Sequence, residues 1–365
     1  MTIGYILDDT LDKEDGVQKA MLDIGEAMRG RGHDVHYIVA NTKRTDIKNV
    51  HSVGKFVSMK FNGNSVRTPM PASAKAVKQL FDDVEFDVLH VQMPFSPFLA
   101  SRVLNMAPAK VKKVGTFHIL PYGMLSTAGT KAAGFAMRRT IKSLDTVYAV
   151  SEPSRQFMER SFGVVGAVLP NPVDYKFFAN FRIKRSHNNS KKIVFVGRFD
   201  ERKGVRELVS AYAGMSTSMR ANVSLVMCGK GPLVDQVRKL SDDNSLGVEF
   251  PGFVTLKQKA QLLADADIAV FPSISGESFG IVLTEAMAAG SGVTLGGNNP
   301  GYSSVLRDWP ETLFDPKDTA AFSKKLEEFL INDSLREQIG AQQHEAVKRY
   351  DTDTVVDRLM VETYT

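Results

Sequence analysis

Two glutamates, Glu277 and Glu285, stand on either side of a turn that contains Gly280. An apolar run of strand length, 267–272, precedes the turn, and a helical pattern begins at about Ile281. A helix N-terminus offers unpaired N–H groups and the positive end of the helix dipole, which together attract an anion such as phosphate. The carboxylates would flank that anion, where sugar hydroxyls could be held. The alternative interpretation is an ordinary loop-to-helix junction of an α/β sheet.

A second charged group, Arg198 and Lys203, follows a strand and opens a helix. Two cations at such a position could neutralise a diphosphate leaving group as the bond to it breaks, because negative charge then develops on the phosphate. A solvated basic turn would show the same residues. From these residues alone, both interpretations remain open.

His118 and the triplet Asp265-Ala266-Asp267 are two further candidates for chemistry. His118 ends a strand and would lie at the mouth of its domain, although a lone histidine there is more often structural. The triplet matches a metal-binding D-x-D pattern, but its place between a helix and a buried strand favours a structural role. We therefore expect no essential metal and no bound cofactor.

Two series of strands and helices must position these residues. Each series alternates strand and helix, which indicates βαβ units and parallel sheets. The first series has predicted strands at 3–7, 33–39, 87–91, 113–117 and 146–150 and a helix at 16–30. The second has predicted strands at 192–196, 223–228, 248–250 and 267–271 and helices near 204–215, 232–241 and 256–265.

The predicted fold class is therefore α/β, with two Rossmann-like doubly wound domains that face a cleft. In such sheets ligands bind at the carboxyl ends of the strands. We predict a first domain over 1–174, a linker over 175–190, a second domain over 191–350 and a C-terminal helix within 351–365.

Composition supports two ordinary globular domains. The chain has 365 residues, of which 43% are hydrophobic and 24% charged, enough to bury two cores. No run approaches the roughly 18 apolar residues of a membrane-spanning helix. The first strand lacks a preceding basic region and meets Asp8 and Asp9 at once, so we expect no signal peptide and a cytoplasmic location. The single cysteine, Cys228, excludes an intramolecular disulfide.

The positive charge is concentrated in the first half of the chain. Residues 1–170 carry 22 Lys and Arg against 16 Asp and Glu, a balance of +6, whereas residues 171–365 carry 24 against 25, a balance of −1. Such asymmetry suggests an anionic partner on the first domain, either acidic lipid or a phosphorylated acceptor. We expect no nucleic-acid partner, because no recognition motif is present.

The stretch from Glu277 to Glu285 resembles the E-x7-E signature of the family 4 glycosyltransferases. This resemblance implies the two-domain glycosyltransferase B (GT-B) fold, whose C-terminal helix crosses back to the first domain, and transfer of a sugar from a nucleotide donor with retention of configuration. By resemblance Glu277 contacts the donor hexose and Glu285 the ribose. The backbone N–H groups that the resemblance assigns to the diphosphate are those of Phe279, Gly280, Ile281 and Val282.

Other motifs extend the resemblance. Arg198 and Lys203 match the family's G-R-x4-K-G element and are assigned to the donor diphosphate, and His118 matches a histidine that lies against the donor sugar. Gly16 lies in the first loop, which approaches the donor phosphate in this family. The chain has Asp15 where the family usually has a second glycine.

Within the family the sequence is most similar to the phosphatidylinositol mannosyltransferases of actinobacteria, which use GDP-mannose. This resemblance assigns Gln18, Asn62 and Arg67 to the acceptor. It runs almost end to end, with departures at Asp9, Ile119 and Thr255; Thr255 stands where an acidic residue near the guanine is expected. A UDP-sugar-dependent family member with another acceptor therefore remains an alternative, as does a non-catalytic nucleotide-sugar-binding protein.

A basic amphipathic segment, 130–144, could lie on an anionic membrane at the inner face of the plasma membrane. An ordinary Rossmann helix that packs its apolar side on the sheet would show the same pattern. Its cations and apolar residues fall on opposite sides: Lys131, Arg138 and Lys142 against Met137, Ile141 and Leu144. Both interpretations stay open at the level of sequence.

Overall fold

The structure is a computed structural model that describes residues 1–12, 15–61, 64–93, 98–120, 137–183 and 190–364. For 56–61, 64–69 and Arg138 it describes the backbone alone. The chain divides into two compact units. The first unit is Met1–Pro172 together with the segment from Thr352 onward, and the second is Val173–Asp351.

The first unit is built on a parallel sheet, in the order β3-β2-β1-β6-β7-β8-β9 within the described residues. Its chain runs outward from β1 to β3 and then returns to pair β6 with the other side of β1. Its strands are β1 (Thr2–Leu7), β2 (Asp34–Val39), β3 (Val50–Ser52), β6 (Val88–Gln92), β7 (Lys112–Phe117), β8 (Thr146–Ala149) and β9 (Ala167–Val168). The point where the direction reverses lies between β1 and β6, which is where doubly wound sheets bind ligands.

Helices cover this sheet. They are α1 (Gly16–Gly30), α2 (Ala74–Asp83), α3 (Leu99–Met106), α4 (Arg138–Lys142) and α5 (Glu152–Phe162). Helix α1 has the predicted bounds, because Met21, Ile24 and Met28 recur at helical spacing and are buried against the strands. Helix α2 buries Val77 and Leu80 in a second cluster of the same unit.

An antiparallel hairpin interrupts the first series and was not predicted. Its strands are β4 (Phe56–Phe61) and β5 (Asn64–Pro69). The sequence did contain the signal, since Asn62-Gly63 between two strand-like runs is typical of a two-residue hairpin turn. These two residues lie outside the described part of the chain.

The second unit is built on another parallel sheet, in the order β12-β11-β10-β13-β14-β15 over its described residues. Here the direction reverses between β10 and β13. The strands are β10 (Lys191–Val196), β11 (Val223–Cys228), β12 (Glu249–Gly252), β13 (Ile268–Phe271), β14 (Val293–Gly297) and β15 (Leu313–Phe314). The first four match predicted strands to within two residues, whereas β14 and β15 had no prediction.

Helices of the second unit surround its sheet. They are α6 (Tyr175–Ala179), α7 (Val205–Gly214), α8 (Thr217–Arg220), α9 (Val234–Asp243), α10 (Leu256–Asp265), α11 (Ile281–Ala289), α12 (Pro300–Val305), α13 (Thr319–Ile331) and α14 (Asp333–Ala346). Helix α6 lies within the segment predicted as a linker. It forms because Asp174 caps its N-terminus and Phe178 is buried in the second unit.

The C-terminal segment belongs to the first unit. Helix α15 (Thr352–Leu359) continues into a π-helical turn, Met360–Tyr364, where a single helix within 351–365 was predicted. Val355, Val356 and Leu359 join the apolar cluster formed by β1, β2 and α1. The C-terminal helix therefore returns to the first unit, as the resemblance to the GT-B fold led us to expect. None of the helices in the described ranges is both long and apolar enough to cross a membrane.

Candidate active site

The N-terminus of α11 is the centre of the second unit's candidate site. Gly280 precedes the helix with a φ of 126°, a conformation that disfavours any residue with a β-carbon, and a β-carbon there would lie 2.7 Å from the ring of Tyr302. The first helical bond is donated by Leu283 N to Gly280 O. The N–H groups of Ile281 and Val282 have no backbone acceptor among the described residues, as expected at a helix start.

Glu277 and Lys203, predicted from separate motifs, lie together in the structure. Lys203 Nζ donates to Glu277 Oε1 at 2.7 Å, and both side chains are largely buried. Arg202 Nη1 donates to the same oxygen at 3.3 Å and to Gly276 O at 2.8 Å. Two cations therefore hold one carboxylate oxygen beside the turn that leads into α11.

The turn after β10 places Lys203. Asp200 caps a 3-10 turn, Glu201–Lys203, by accepting from Lys203 N. Gly204 follows with a φ of 65°, and a β-carbon at this position would lie 2.1 Å from Pro272 O, so only glycine allows the turn to approach the end of β13. Ile274 N also donates to Arg202 O, which ties the two loops to each other.

The Lys203 amine is held in its charged form. Burial opposes the charge, whereas the carboxylate of Glu277 and its hydrogen bond to the amine favour it, and the pKa of Lys203 lies above its usual value. Burial also raises the pKa of Tyr302 to about 12, so its phenol stays neutral at physiological pH. Lys203 therefore supplies a cation beside Glu277 at physiological pH.

Arg198, the other predicted cation, stands apart from this pair. Its side chain is 65% exposed and lies 3.6 Å from a carboxylate oxygen of Asp200. The structure thus brings Lys203, but not Arg198, onto Glu277. Arg202, which takes that place, was missed because it stands in the same basic turn and no spacing rule distinguishes it from its neighbours.

Glu285 lies one turn inside α11 and is also paired. Its side chain is 4% exposed, and Lys259 Nζ of α10 donates to its Oε1 at 2.6 Å. The Lys259 amine also lies 5.7 Å from the ring centroid of Phe178 in α6. Sequence reasoning missed Lys259, because a pair separated by 26 positions and carried on two helices leaves no periodic signal.

His118 lies in the first unit, directly after β7. It is buried, and its Nε2 donates to Gln92 Oε1 at 2.6 Å; an amide oxygen can only accept, which fixes this tautomer. Burial lowers the pKa of His118 to about 3. The imidazole is therefore neutral at physiological pH, and its hydrogen-bond partner Gln92 is a residue that sequence reasoning missed.

The other predicted positions in the first unit have different surroundings. Gly16 is the first residue of α1, and Gln18 is buried, with its amide donating to Asp9 Oδ2 and Thr10 O. Asn62 lies outside the described residues. Arg67 lies in β5, where the structure describes only the backbone, so its predicted acceptor role stays a prediction.

The D-x-D triplet serves the fold. Asp265 accepts from Gln261 at the end of α10, and Asp267 Oδ2 accepts from Lys192 N. Asp267 precedes β13 and therefore lies at the amino end of the sheet, opposite the edge that carries Lys203 and Glu277. Across the described residues, no cluster of three or more His, Cys, Asp or Glu side chains could hold a metal ion.

Comparison with known proteins identifies the family. Residues 15–177 match the model "Glycosyltransferase Family 4", and residues 177–346 match "Glycosyl transferases group 1". The chain belongs to the family 4 glycosyltransferases. The second match spans the Lys203 turn, Glu277 and helix α11 with Glu285.

Relatives of this glycosyltransferase include proteins named phosphatidyl-myo-inositol mannosyltransferase. That of Mycobacterium tuberculosis is 33% identical over 374 residues, covering 99% of this chain and 96% of the relative. That of Mycolicibacterium smegmatis is 30% identical over 370 residues, covering 99% and 92%. The similarity is thus continuous across both units.

Solved structures agree on the fold. A glycosyltransferase of Rickettsia africae has a TM-score of 0.75 at 17% identity, covering 100% of this chain and 97% of that one. HepE of Anabaena, solved in complex with UDP, has a TM-score of 0.76 at 16% identity and covers 99% of each chain. At these identities the likeness describes the two Rossmann-like domains of GT-B glycosyltransferases alone.

Proposed function

We propose that this glycosyltransferase moves a hexose, with retention of configuration, from a nucleotide sugar to a lipid-linked or phosphorylated acceptor. The names of the relatives suggest mannose as the sugar and phosphatidylinositol as the acceptor. GDP-mannose is the donor that the sequence resemblance implies. One observation carries the proposal: Lys203 and Glu277 meet at 2.7 Å beside the N-terminus of α11. A cation, a carboxylate and N–H groups without a backbone acceptor thus occupy one edge of the sheet.

The donor would use these groups in the following way. Its diphosphate binds the N–H groups at the start of α11 and the amine of Lys203, which neutralise charge as the glycosidic bond breaks. Exposed Arg198 can add a second cation. Lys203 and Arg202 both donate hydrogen bonds to Oε1 of Glu277. No described residue donates to its Oε2, which can therefore accept hydrogen bonds from hydroxyl groups of the hexose. Glu285 of α11 would hold the ribose.

Transfer would follow a front-face course. The acceptor hydroxyl attacks the anomeric carbon from the side that the diphosphate leaves, and the departing phosphate takes the proton. Glu277 and Glu285 each neutralise a lysine, which favours roles in binding over nucleophilic attack. His118 is neutral and buried, so we assign it to positioning the sugar through a hydrogen bond. No metal or further cofactor has a step in this scheme.

The acceptor would be delivered at an anionic membrane surface, with the first unit peripherally bound at the inner face of the plasma membrane. The excess of six positive charges over residues 1–170 supports this. Within the predicted amphipathic segment, residues 130–136 lie outside the described part. Of the rest, Met137 and Ile141 are buried and Lys142 is exposed, as in an ordinary packed helix. Membrane binding would therefore depend on charge more than on insertion of these apolar residues.

A transfer assay tests the proposal. Purified protein is incubated with radiolabelled GDP-mannose and vesicles that contain 20% phosphatidylinositol, and labelled lipid is extracted; the anomeric configuration of the product is read by NMR. We expect an α-linked mannosyl lipid, with no product from phosphatidylcholine vesicles. Product with inverted configuration, or binding of every nucleotide without transfer or donor hydrolysis, would contradict a retaining transferase.

A UDP-sugar donor is the second candidate, and Thr255 favours it. At the position where the resemblance expects an acidic residue near the guanine, Thr255 caps α10 and forms a reciprocal capping box with Gln258. Thermal unfolding with GDP, UDP and ADP separates the two, since a nucleotide at about 100 times its dissociation constant adds roughly 2.7 kcal/mol. A shift with UDP alone would replace GDP-mannose in the proposal.

A further inference from the structure

Gln92 occupies the switch point of the first sheet. It is the last residue of β6 and pairs in register with Leu7, the last residue of β1, on one side and with Thr116 of β7 on the other. The strand order reverses between β1 and β6, and open α/β sheets bind ligands in the crevice at such a point. The backbone alone therefore places Gln92 where a ligand of the first unit is expected.

The side chain of Gln92 is only half satisfied. It is 2% exposed, and its Oε1 accepts the hydrogen bond from His118 Nε2 at 2.6 Å. Its Nε2 has no hydrogen-bond partner among the described residues. A buried amide donor without an acceptor destabilises a fold, and such groups are rare in native structures. An acceptor supplied by a ligand would satisfy it.

The backbone beside Gln92 is unusual as well. Met93 has a φ of 65°, a left-handed conformation that few residues other than glycine adopt. It is held there because Met93 N donates to Thr116 O of the neighbouring strand. Strain of this kind is retained mainly where the surrounding structure needs a particular geometry, and functional sites are its usual place. Here it ends β6 directly after the unsatisfied amide.

We propose that Gln92 is a substrate-contacting residue whose amide oxygen orients His118 and whose amide N–H donates to a ring hydroxyl of the bound substrate. The inference rests on the proposed function in one respect, since it takes the substrate to be a polyhydroxylated ring. Such a ring is present in the hexose of the donor and in an inositol acceptor. A hydroxyl oxygen is a suitable acceptor, because it is neutral and the pair of Gln92 and neutral His118 carries no charge to balance.

Kinetics of Gln92→Met give the first test. Methionine keeps the length and volume of glutamine but removes both hydrogen bonds, and circular dichroism checks that the variant is folded. We expect kcat/KM to fall on the order of 10- to 100-fold, as for the loss of a hydrogen bond to substrate. A rise confined to the KM of the donor assigns the hydroxyl to the hexose, and one confined to that of the acceptor assigns it to the inositol.

Gln156→Met is the matched control. Gln156 lies exposed on α5 of the same unit, so the same change of side chain there should leave kcat and both KM values unaltered. If Gln92 has only a structural role, Gln92→Met should be less stable than the wild type but keep kcat/KM within about twofold of the wild-type value. That result would overturn the proposal.

A second readout does not need turnover. In the 15N-labelled wild-type protein, the side-chain NH2 signals of Gln92 are assigned by their absence from Gln92→Met, and GDP-mannose or myo-inositol 1-phosphate is then added. We expect those signals to shift with one of the two ligands but not with GDP alone. A shift without any transfer by the wild type would sustain the role of Gln92 and reject the proposed function. Unchanged signals with both ligands would reject the role of Gln92 even in an active enzyme.

Discussion

The two units offer opposite chemistry at corresponding edges of their sheets. In the second unit the candidate residues form pairs of opposite charge, Lys203 with Glu277 and Lys259 with Glu285. In the first unit His118 and Gln92 are neutral and joined by a hydrogen bond. Both sheets use the carboxyl ends of their strands, so the difference lies in the side chains and not in the topology.

Charged and neutral side chains suit different parts of the proposed donor and acceptor. A diphosphate carries negative charge that must be met by fixed cations, whereas ring hydroxyls are recognised by neutral donors and acceptors. In the second unit each lysine has a carboxylate beside it, and the pKa of Lys203 is raised there, so this amine keeps its charge in a largely buried position. Burial without a counter-charge keeps His118 neutral. The fold is thus the same in both units, while the choice of buried partners decides what each can bind.

Removing Lys203 from the charged site of the second unit should have the largest effect on activity. In Lys203→Ala the diphosphate loses its buried cation, and we expect kcat/KM for transfer to fall by about 1,000-fold, near the upper range for one electrostatic contact. The protein should remain folded, since Arg202 still neutralises Glu277. Lys239→Ala, an equal charge change at an exposed residue of α9, should retain full activity. Near-normal transfer by Lys203→Ala would remove the basis of the proposed site.

Glu285→Ala should lower kcat/KM somewhat less, by about 100-fold, because it would remove the proposed ribose contact but leave the proposed diphosphate contacts. It also leaves Lys259 without its partner, so the free energy of unfolding should fall by roughly 1 to 3 kcal/mol. The double variant Glu285→Gln with Lys259→Met removes the pair without an isolated charge. We expect it to recover most of the stability and none of the activity. Recovery of both would make the pair purely structural.

Much of this organisation could be predicted from sequence, and the remainder has a physical reason. Apolar runs bounded by glycine and proline give the strands, and the glycine turn before α11 gives the helix start, because these signals are local. The pairs Gln92–His118 and Lys259–Glu285 each join residues 26 positions apart on different elements, so only tertiary packing brings them together. The choice of Arg202 over Arg198 likewise depends on the path of a turn.

Acid should destabilise the first unit, which contains the buried neutral histidines. Burial lowers the pKa values of His90 and His118 to about 3, while the unfolded chain binds a proton near pH 6.5 at each histidine. Stability from these groups is complete above pH 6.5 and is lost as the pH falls from there toward 3. We expect a loss on the order of 2 kcal/mol per histidine between pH 7 and pH 5. Calorimetry of wild type and His118→Gln checks this, and equal pH dependence in the two would contradict the assignment.

The smallest expected effect concerns the hydrogen bonds of His90, the second buried histidine whose pKa is lowered. Tyr364 of the C-terminal segment shares a hydrogen bond with His90 Nδ1, and His90 Nε2 contacts Thr116 Oγ1 at 2.7 Å. Tyr364→Phe leaves one nitrogen of a buried imidazole without a partner, which should lower the stability of the first unit by about 1 kcal/mol.

Tyr212→Phe is the counterpart in the second unit, where Tyr212 Oη donates to Val223 O at 2.6 Å. It makes the same chemical change at a comparably buried residue, so the two variants should lower the transitions of different units by similar amounts. Transfer should change less than about threefold in either, because neither hydroxyl touches a residue assigned to substrate. If Tyr364→Phe leaves calorimetric unfolding unchanged, the C-terminal segment stabilises the first unit through its apolar contacts alone, and the hydrogen bond between Tyr364 and His90 adds nothing to that stability.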